Sequence, residues 1–263
     1  MRAGDAIDAR TRVGQAAFVG YLPAGFPDVD RSINAATTLA KSGADIIELG
    51  LPYSDPSMDG GTIQKAAMQA LAGGFRVRDV FHCVEAVAKT GTVPLIMTYY
   101  NLIFRYGVGK FARDFANAGG AGLITPDLIP EEAGEWITAS DEYDLDRVFL
   151  VAQSSRPDRL KLTAQASRGF VYAASTMGVT GTRSSLDSGA RALVERTRNA
   201  GAERVCVGIG VSTPVQAREV AGYADGVIVG SALVNTLFEE DESRALRNLA
   251  ATAEALAAGA HGE

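Results

Sequence analysis

The 263-residue chain is short of the residues that most often carry chemistry: two histidines, two cysteines, one tryptophan and five lysines. Cys83 and Cys206 lie in separate apolar segments with no CxxC spacing. They are expected to be buried, reduced thiols in a cytoplasmic protein, which excludes a disulfide scaffold. His82 falls in a helical pattern and His261 in the tail. No cluster of His, Cys and carboxylate residues has metal-ligand spacing, so no metal site is expected. Lys41, Lys65, Lys89, Lys110 and Lys161 all fall in helical patterns, and none ends a strand-like run. A Schiff-base mechanism, including one on bound pyridoxal phosphate, therefore has no candidate nucleophile. Apolar runs are strand-sized, far below the roughly 20 residues of a membrane span. The polar start, MRAGDAIDARTRVG, does not read as a secretory signal. Positive charge is also short: Lys+Arg number 25 against 31 Asp+Glu, a net charge of -6. The chain has no global attraction to nucleic acid or anionic membrane.

Apolar residues make up 47% of the chain and glycine is frequent, at 29 residues. Eight short apolar runs recur: 16–22, 45–50, 93–99, 122–125, 147–152, 169–175, 204–210 and 226–230. They are nearly continuous rather than alternating, as suits parallel strands buried on both faces. Amphipathic segments lie between them. Ile33, Ala36, Leu39 and Ala40 share one helical face, with Gly43 as the stop. Phe111 and Phe115 form an i, i+4 pair. Pro130 and Pro214 sit where helices prefer to start. In the tail, Leu246, Leu249, Ala253 and Leu256 make one stripe, so a last helix is expected. Eight strand–helix repeats at about 30 residues each predict an α/β fold, a (β/α)8 TIM barrel. No linker or composition shift divides it, so residues 1–263 are expected to be one domain, with an extra helix from residues 3–14 under the barrel. An open doubly wound sheet is the competing architecture, but no GxGxxG opens the first helix.

Chemistry in such a barrel sits on the loops that follow the strands. The second run ends in Glu48, a carboxylate inside the apolar stretch IIELG. A charge there must be hydrogen-bonded or shifted in pKa. Asp59 follows on the next loop, within MDGG. Two carboxylates in different settings can divide acid and base roles, although Asp-Gly is also a common turn. Glycines gather after the last three strands: Gly178 and Gly181, Gly208 and Gly210, and Gly230 followed by Ser231. Glycine lets backbone N–H groups approach an anion, and Ser231 opens a short apolar helix. A phosphate site is expected there. No Walker A pattern appears, so no nucleotide is implied. The residues alone point to carboxylate acid–base chemistry on a phosphorylated small molecule.

The segment ELGLPYSDPSMDGGTIQ, at 48–64, closely resembles the signature of tryptophan synthase alpha subunits. So do YLPAGFP, TYYN, TPDLIPEE, VYAASTMGVTG, GIGVSTP and ADGVIVGSALV, in order along the chain. The resemblance implies a barrel lyase that splits indole-3-glycerol phosphate into indole and glyceraldehyde 3-phosphate. It implies a pyridoxal-phosphate β subunit as partner in an α2β2 complex, with no cofactor in this subunit. It places proton shuttling on Glu48 and a hydrogen bond from the indole N–H on Asp59. It puts Tyr172 and Thr180 beside these two groups, and Tyr21, Leu49, Tyr99 and Ile209 around the indole. Phosphate binding carries over to Gly181, Gly210, Gly230 and Ser231, and partner contact to Asp55 and Pro56. The chain departs from the family where Gly61 replaces a usual proline, which is expected to loosen the loop. Ser57 and Met58 replace smaller apolar residues, and Pro23 a usual threonine. An indoleglycerol-phosphate synthase is the nearest competing reading, but that family uses a strand-end lysine that this chain lacks. A regulatory subunit with little chemistry of its own would not need both Glu48 and Asp59.

Overall fold

The computed structural model describes residues 1–56, 58–174, 184–208 and 210–263. Its strands are β1 (Ala17–Pro23), β2 (Ile46–Gly50), β3 (Val93–Met97), β4 (Gly122–Ile124), β5 (Asp146–Val148), β6 (Leu150–Ala152), β7 (Val171–Ala174), β8 (Val205–Gly208) and β9 (Gly226–Val229). All named pairings are parallel, in the order β5-β4-β3-β2-β1-β9-β8-β7-β6. The run expected at 147–152 appears as two strands broken at Phe149. The reason is the stagger of a closing barrel. The first half hydrogen-bonds to β4, the second to β7, and Phe149 between them gives its carbonyl to Tyr172 N–H at 3.0 Å. β5 and β6 are thus one barrel stave, and the eightfold (β/α) architecture holds.

Strand parity separates two apolar layers. Val19, Ile46, Leu95, Ile124, Cys206 and Ile228 pack inside the barrel. Phe18, Leu22, Ile47, Leu49 and Ile96 pack outward against the helices. Each such side chain, fully buried, contributes about 1.5–3 kcal/mol. Close approach matters in this outer layer: a Cβ on Gly20 of β1 would stand 2.7 Å from Leu39 Cδ2. Leu39 belongs to the helix Val29–Lys41, whose N-cap Asp28 accepts from Arg31 N–H and whose stop, Gly43, has φ +98°. The single tryptophan, Trp136, is fully buried in the helix Gly134–Glu142, and its Nε1 has no hydrogen-bond partner. That helix starts later than Pro130 suggested, because Pro130–Glu132 forms only a 3-10 turn.

The extra N-terminal helix is present, as Ala3–Thr11, with Ala3, Ala6 and Ile7 closing the inner layer from below. The last helix runs Glu242–His261, with Leu249, Ala253 and Leu256 buried and Leu246 partly so. Both end helices meet the barrel at Asp45. This carboxylate accepts from Phe18 N–H at 2.8 Å, Arg10 Nε at 2.7 Å and His261 Nε2 at 2.9 Å. Among the described residues no helix is long and apolar enough to cross a membrane.

Candidate active site

A cavity of about 400 Å³ opens at the ends of the strands. β2 delivers Glu48 into it, because Glu48 has the inward parity of Ile46. The side chain is 1% exposed, and Oε2 has no hydrogen-bond partner. Burial, with a smaller push from Asp59, raises its pKa to about 8. A carboxyl group in that state holds its proton near neutral pH, so it can act as an acid first and a base afterwards.

Asp59 lines the same cavity from the loop between β2 and the helix Gly61–Ala72. Burial raises its pKa as well. Among the described residues none donates a hydrogen bond to its carboxylate. The loop is held by its backbone instead: Gln64 Nε2 donates to Asp59 carbonyl oxygen at 2.8 Å, and Met58 N–H donates to Tyr99 Oη at 2.9 Å. Tyr53, at the start of this loop, stacks on Tyr99 with ring centroids 4.9 Å apart. Tyr99 therefore grips the loop at two points.

Two tyrosines flank Glu48. Tyr21 is its register partner on β1, and Tyr172 stands on β7 opposite Leu150 and Cys206. Both line the cavity. Each lies over a strand-end glycine: a Cβ on Gly50 would overlap Tyr21 Oη, and one on Gly208 would overlap Tyr172 Oη. Burial raises both phenols well above their usual pKa, so both stay protonated donors.

The far end of the cavity carries Gly210, Val211, Ser212, Gly230 and Ser231. Gly210 takes φ +95°, a left-handed backbone that favours glycine. Gly230 is the N-cap residue of the helix Ser231–Thr236. The expected phosphate glycines of the last two loops thus line the same cavity as Glu48 and Asp59. Thr180, Gly181 and Ile209 lie outside the described residues, as do Ser57 and Gly178.

Two expected indole contacts fall elsewhere. Leu49 is fully buried in the layer between sheet and helices, because it follows inward-facing Glu48 and takes the opposite face. Tyr99 lies in a small side pocket with Tyr21, Gly50, Asp59 and Met97 rather than on the main cavity. Conversely, Ile63, Met97, Leu150 and Ile228 line the cavity and supply its apolar wall, as does Met58 from the loop. Strand parity could have found three of these. Met97 is in register with Gly50, Leu150 with Tyr172, and Ile228 with Val19. Ile63 carries no strand signal and is placed by the first turn of its helix.

Among the described residues no group of three His, Cys, Asp or Glu side chains could hold a metal ion. A family model described as "Tryptophan synthase alpha chain" matches residues 8–261. The chain is 59% identical over 251 residues to the tryptophan synthase alpha chain of Bifidobacterium longum, covering 93% of this chain and 86% of that one. It is 55% identical over 258 residues to that of Mycobacterium intracellulare, covering 98% and 94%. Its fold is similar to a solved tryptophan synthase structure from Mycobacterium tuberculosis, with TM-score 0.92, 55% identity and coverage of 99% and 98%. With Glu48, Asp59 and the glycine wall at the mouth of such a barrel, the chain belongs to the tryptophan synthase alpha chain family.

Proposed function

We propose that Glu48 and Asp59 carry the reaction of this family in the present chain. That reaction cleaves indole-3-glycerol phosphate to indole and glyceraldehyde 3-phosphate, and indole passes to a β subunit in the α2β2 complex. The chain is a carbon–carbon lyase. The observation that carries the residue assignment is Glu48: buried, with one oxygen unpartnered, raised to about pKa 8, and facing the cavity.

Protonated Glu48 gives its proton to indole C3. Positive charge then develops on the ring nitrogen, and the Asp59 carboxylate accepts the ring N–H and stabilises that charge. Glu48, now a carboxylate, takes the proton from the hydroxyl on the adjoining glycerol carbon. The carbon–carbon bond breaks, the aldehyde forms, and Glu48 ends as it began. Tyr172 orients Glu48, and Tyr21 with Ile63, Met97 and Leu150 sandwiches the indole. Gly210, Gly230 and Ser231 take the phosphate through backbone N–H groups and the Ser231 hydroxyl; in the family pattern Gly181 joins them, Thr180 meets Asp59 and Ile209 borders the indole. The pyridoxal phosphate belongs to the β subunit, and this subunit works through its own carboxylates on one barrel domain, 1–263, in the cytoplasm. The partner meets the strand-end rim, where Asp55 is exposed and Pro56 partly so, and where Phe104 and Ile129 leave apolar side chains exposed on the segments after β3 and β4.

The test is indole release from indole-3-glycerol phosphate, with and without a β subunit, for the native chain and Glu48→Gln. Slow cleavage that rises with the partner and falls about 10²–10⁴-fold in the variant is the expected result. Cleavage retained in Glu48→Gln removes Glu48 from the mechanism.

A further inference from the structure

The loop between β8 and the helix Pro214–Ala221 forms the far end of the cavity through Gly210, Val211 and Ser212. Its N–H groups divide into two sets. Ser212 N–H donates to Gln216 Oε1 at 2.9 Å, and Thr213 N–H donates to the same oxygen at 3.2 Å. The Ser212 hydroxyl joins them at 3.1 Å. Pro214 has no N–H to place. Among the described residues, Gly210 N–H and Val211 N–H have no acceptor. One side-chain oxygen thus takes up the helix-side donors, and the cavity-side donors are left for a ligand. Gln216 is itself anchored. Its N–H donates to Thr213 Oγ1 at 3.2 Å, and Ala217 N–H donates to the Thr213 carbonyl oxygen at 2.9 Å. The start of this helix is also pressed onto the last helix: a Cβ on Gly259 would overlap the Pro214 carbonyl oxygen and stand 3.1 Å from Ala217 Cβ. The loop is therefore hung from a fixed support through the Gln216 amide.

We propose that Gln216 is a positioning residue for phosphate: its side-chain oxygen sets the bend of 210–213 and so holds Gly210 N–H ready for the phosphate of the substrate. This rests on the phosphate role given above for Gly210, Gly230 and Ser231 and goes beyond it, since Gln216 is not among the residues that line the cavity. Gly210 has wide backbone freedom, so the direction of its N–H depends on what fixes the residues after it. A donor aimed in advance spares the ligand the cost of ordering the loop. A helix cap alone would need only the exchange between Thr213 and Gln216, in which each side chain accepts the other's N–H. The Gln216 oxygen reaches one residue further, to both donors of Ser212, which lines the cavity. That added reach is what ties the helix to the phosphate wall.

Gln216→Met keeps the length of the side chain and removes the acceptor. Thr213→Ala removes the other half of the helix cap and leaves that acceptor in place. Both are expected to lower Tm by a few degrees. In indole release by the full chain, only Gln216→Met is expected to weaken phosphate binding. Its KM for indole-3-glycerol phosphate and its inhibition constant for glyceraldehyde 3-phosphate should rise about fivefold or more. Its kcat, and its inhibition constant for indole, which carries no phosphate, should stay within about twofold of native. A native KM in Gln216→Met overturns the proposal. An equal rise in Thr213→Ala also overturns it, because the helix cap alone then accounts for the effect. So does a rise for indole as large as that for glyceraldehyde 3-phosphate, which describes a general distortion of the cavity. Ser231→Asp, measured alongside, separates the two levels of inference: a carboxylate at the expected phosphate position should raise KM about tenfold or more. If it leaves KM native, the phosphate reading itself is wrong. If it raises KM while Gln216→Met does not, phosphate binds there without Gln216.

Discussion

The two ends of the barrel use the same side chain in opposite ways. At the bottom, carboxylates are tied. Asp45 accepts from Phe18 N–H, Arg10 and His261, and Asp225 accepts from Val205 N–H at 2.8 Å and Arg198 at 2.7 Å. Asp8 takes Arg204 through two bonds of 2.7 and 2.8 Å. Burial alone would raise Asp45, but the bonds from His261, Phe18 and Arg10 outweigh it and hold its pKa below the usual range. At the mouth, Glu48 is buried with an oxygen unpartnered and Asp59 is raised, both chiefly by burial. Asp146 is the bottom's partial exception: Oδ2 accepts from Ala3 N–H at 3.0 Å, while Oδ1 has only Arg168 Nε, at 3.7 Å. The lower set fastens strand starts to helices and so stabilises the fold. The upper pair destabilises it locally and keeps the proton affinity that acid–base work requires.

Neutralising each set should therefore change stability in opposite directions. Glu48 has a folded pKa near 8 against 4.5 unfolded. Its favourable contribution is full below the unfolded value and is lost as pH rises toward 8. Glu48→Gln should thus gain stability over the native chain as pH rises through that window, by a few kcal/mol at the upper end, read from denaturant midpoints at several pH values. Unchanged midpoints would break the comparison. Asp45→Asn should lose about 2–3 kcal/mol at neutral pH with kcat intact. Because its folded pKa is lowered, the deficit should shrink as pH falls through the acidic range. Tyr99→Phe should remove about 1 kcal/mol of loop anchoring, seen as roughly fivefold lower kcat/KM and faster amide exchange in 51–60. The smallest change runs the other way. Gly61 is the first residue of its helix, and Gly60 before it is extended, with φ -72° and ψ 162°. Gly61→Pro fits that backbone and should add about 0.4–1 kcal/mol, measured by thermal unfolding.

Much of this was legible in residue order. The strands came from apolar runs, because a parallel sheet buries both faces and leaves little else possible. Glu48 stood out because a carboxylate inside IIELG is costly without a purpose. The break at Phe149 was not legible, because both halves are apolar and only the stagger of their neighbours separates them. Leu49 is placed around the indole by the resemblance alone; strand parity puts it on the face opposite Glu48, in the layer against the helices. Met97, Leu150 and Ile228 were within reach of parity once Glu48 was placed. Asp45 gave no signal at all, because its partners Arg10 and His261 lie 35 and 216 residues away.

Trp136 carries an optical consequence. It is the only tryptophan, it is fully buried away from the cavity, and its Nε1 has no hydrogen-bond partner. Its emission belongs at the blue end of the tryptophan range and shifts red only when water enters the helix layer. Unfolding can thus be followed by the colour of one residue, while a ligand filling the mouth leaves that colour unchanged.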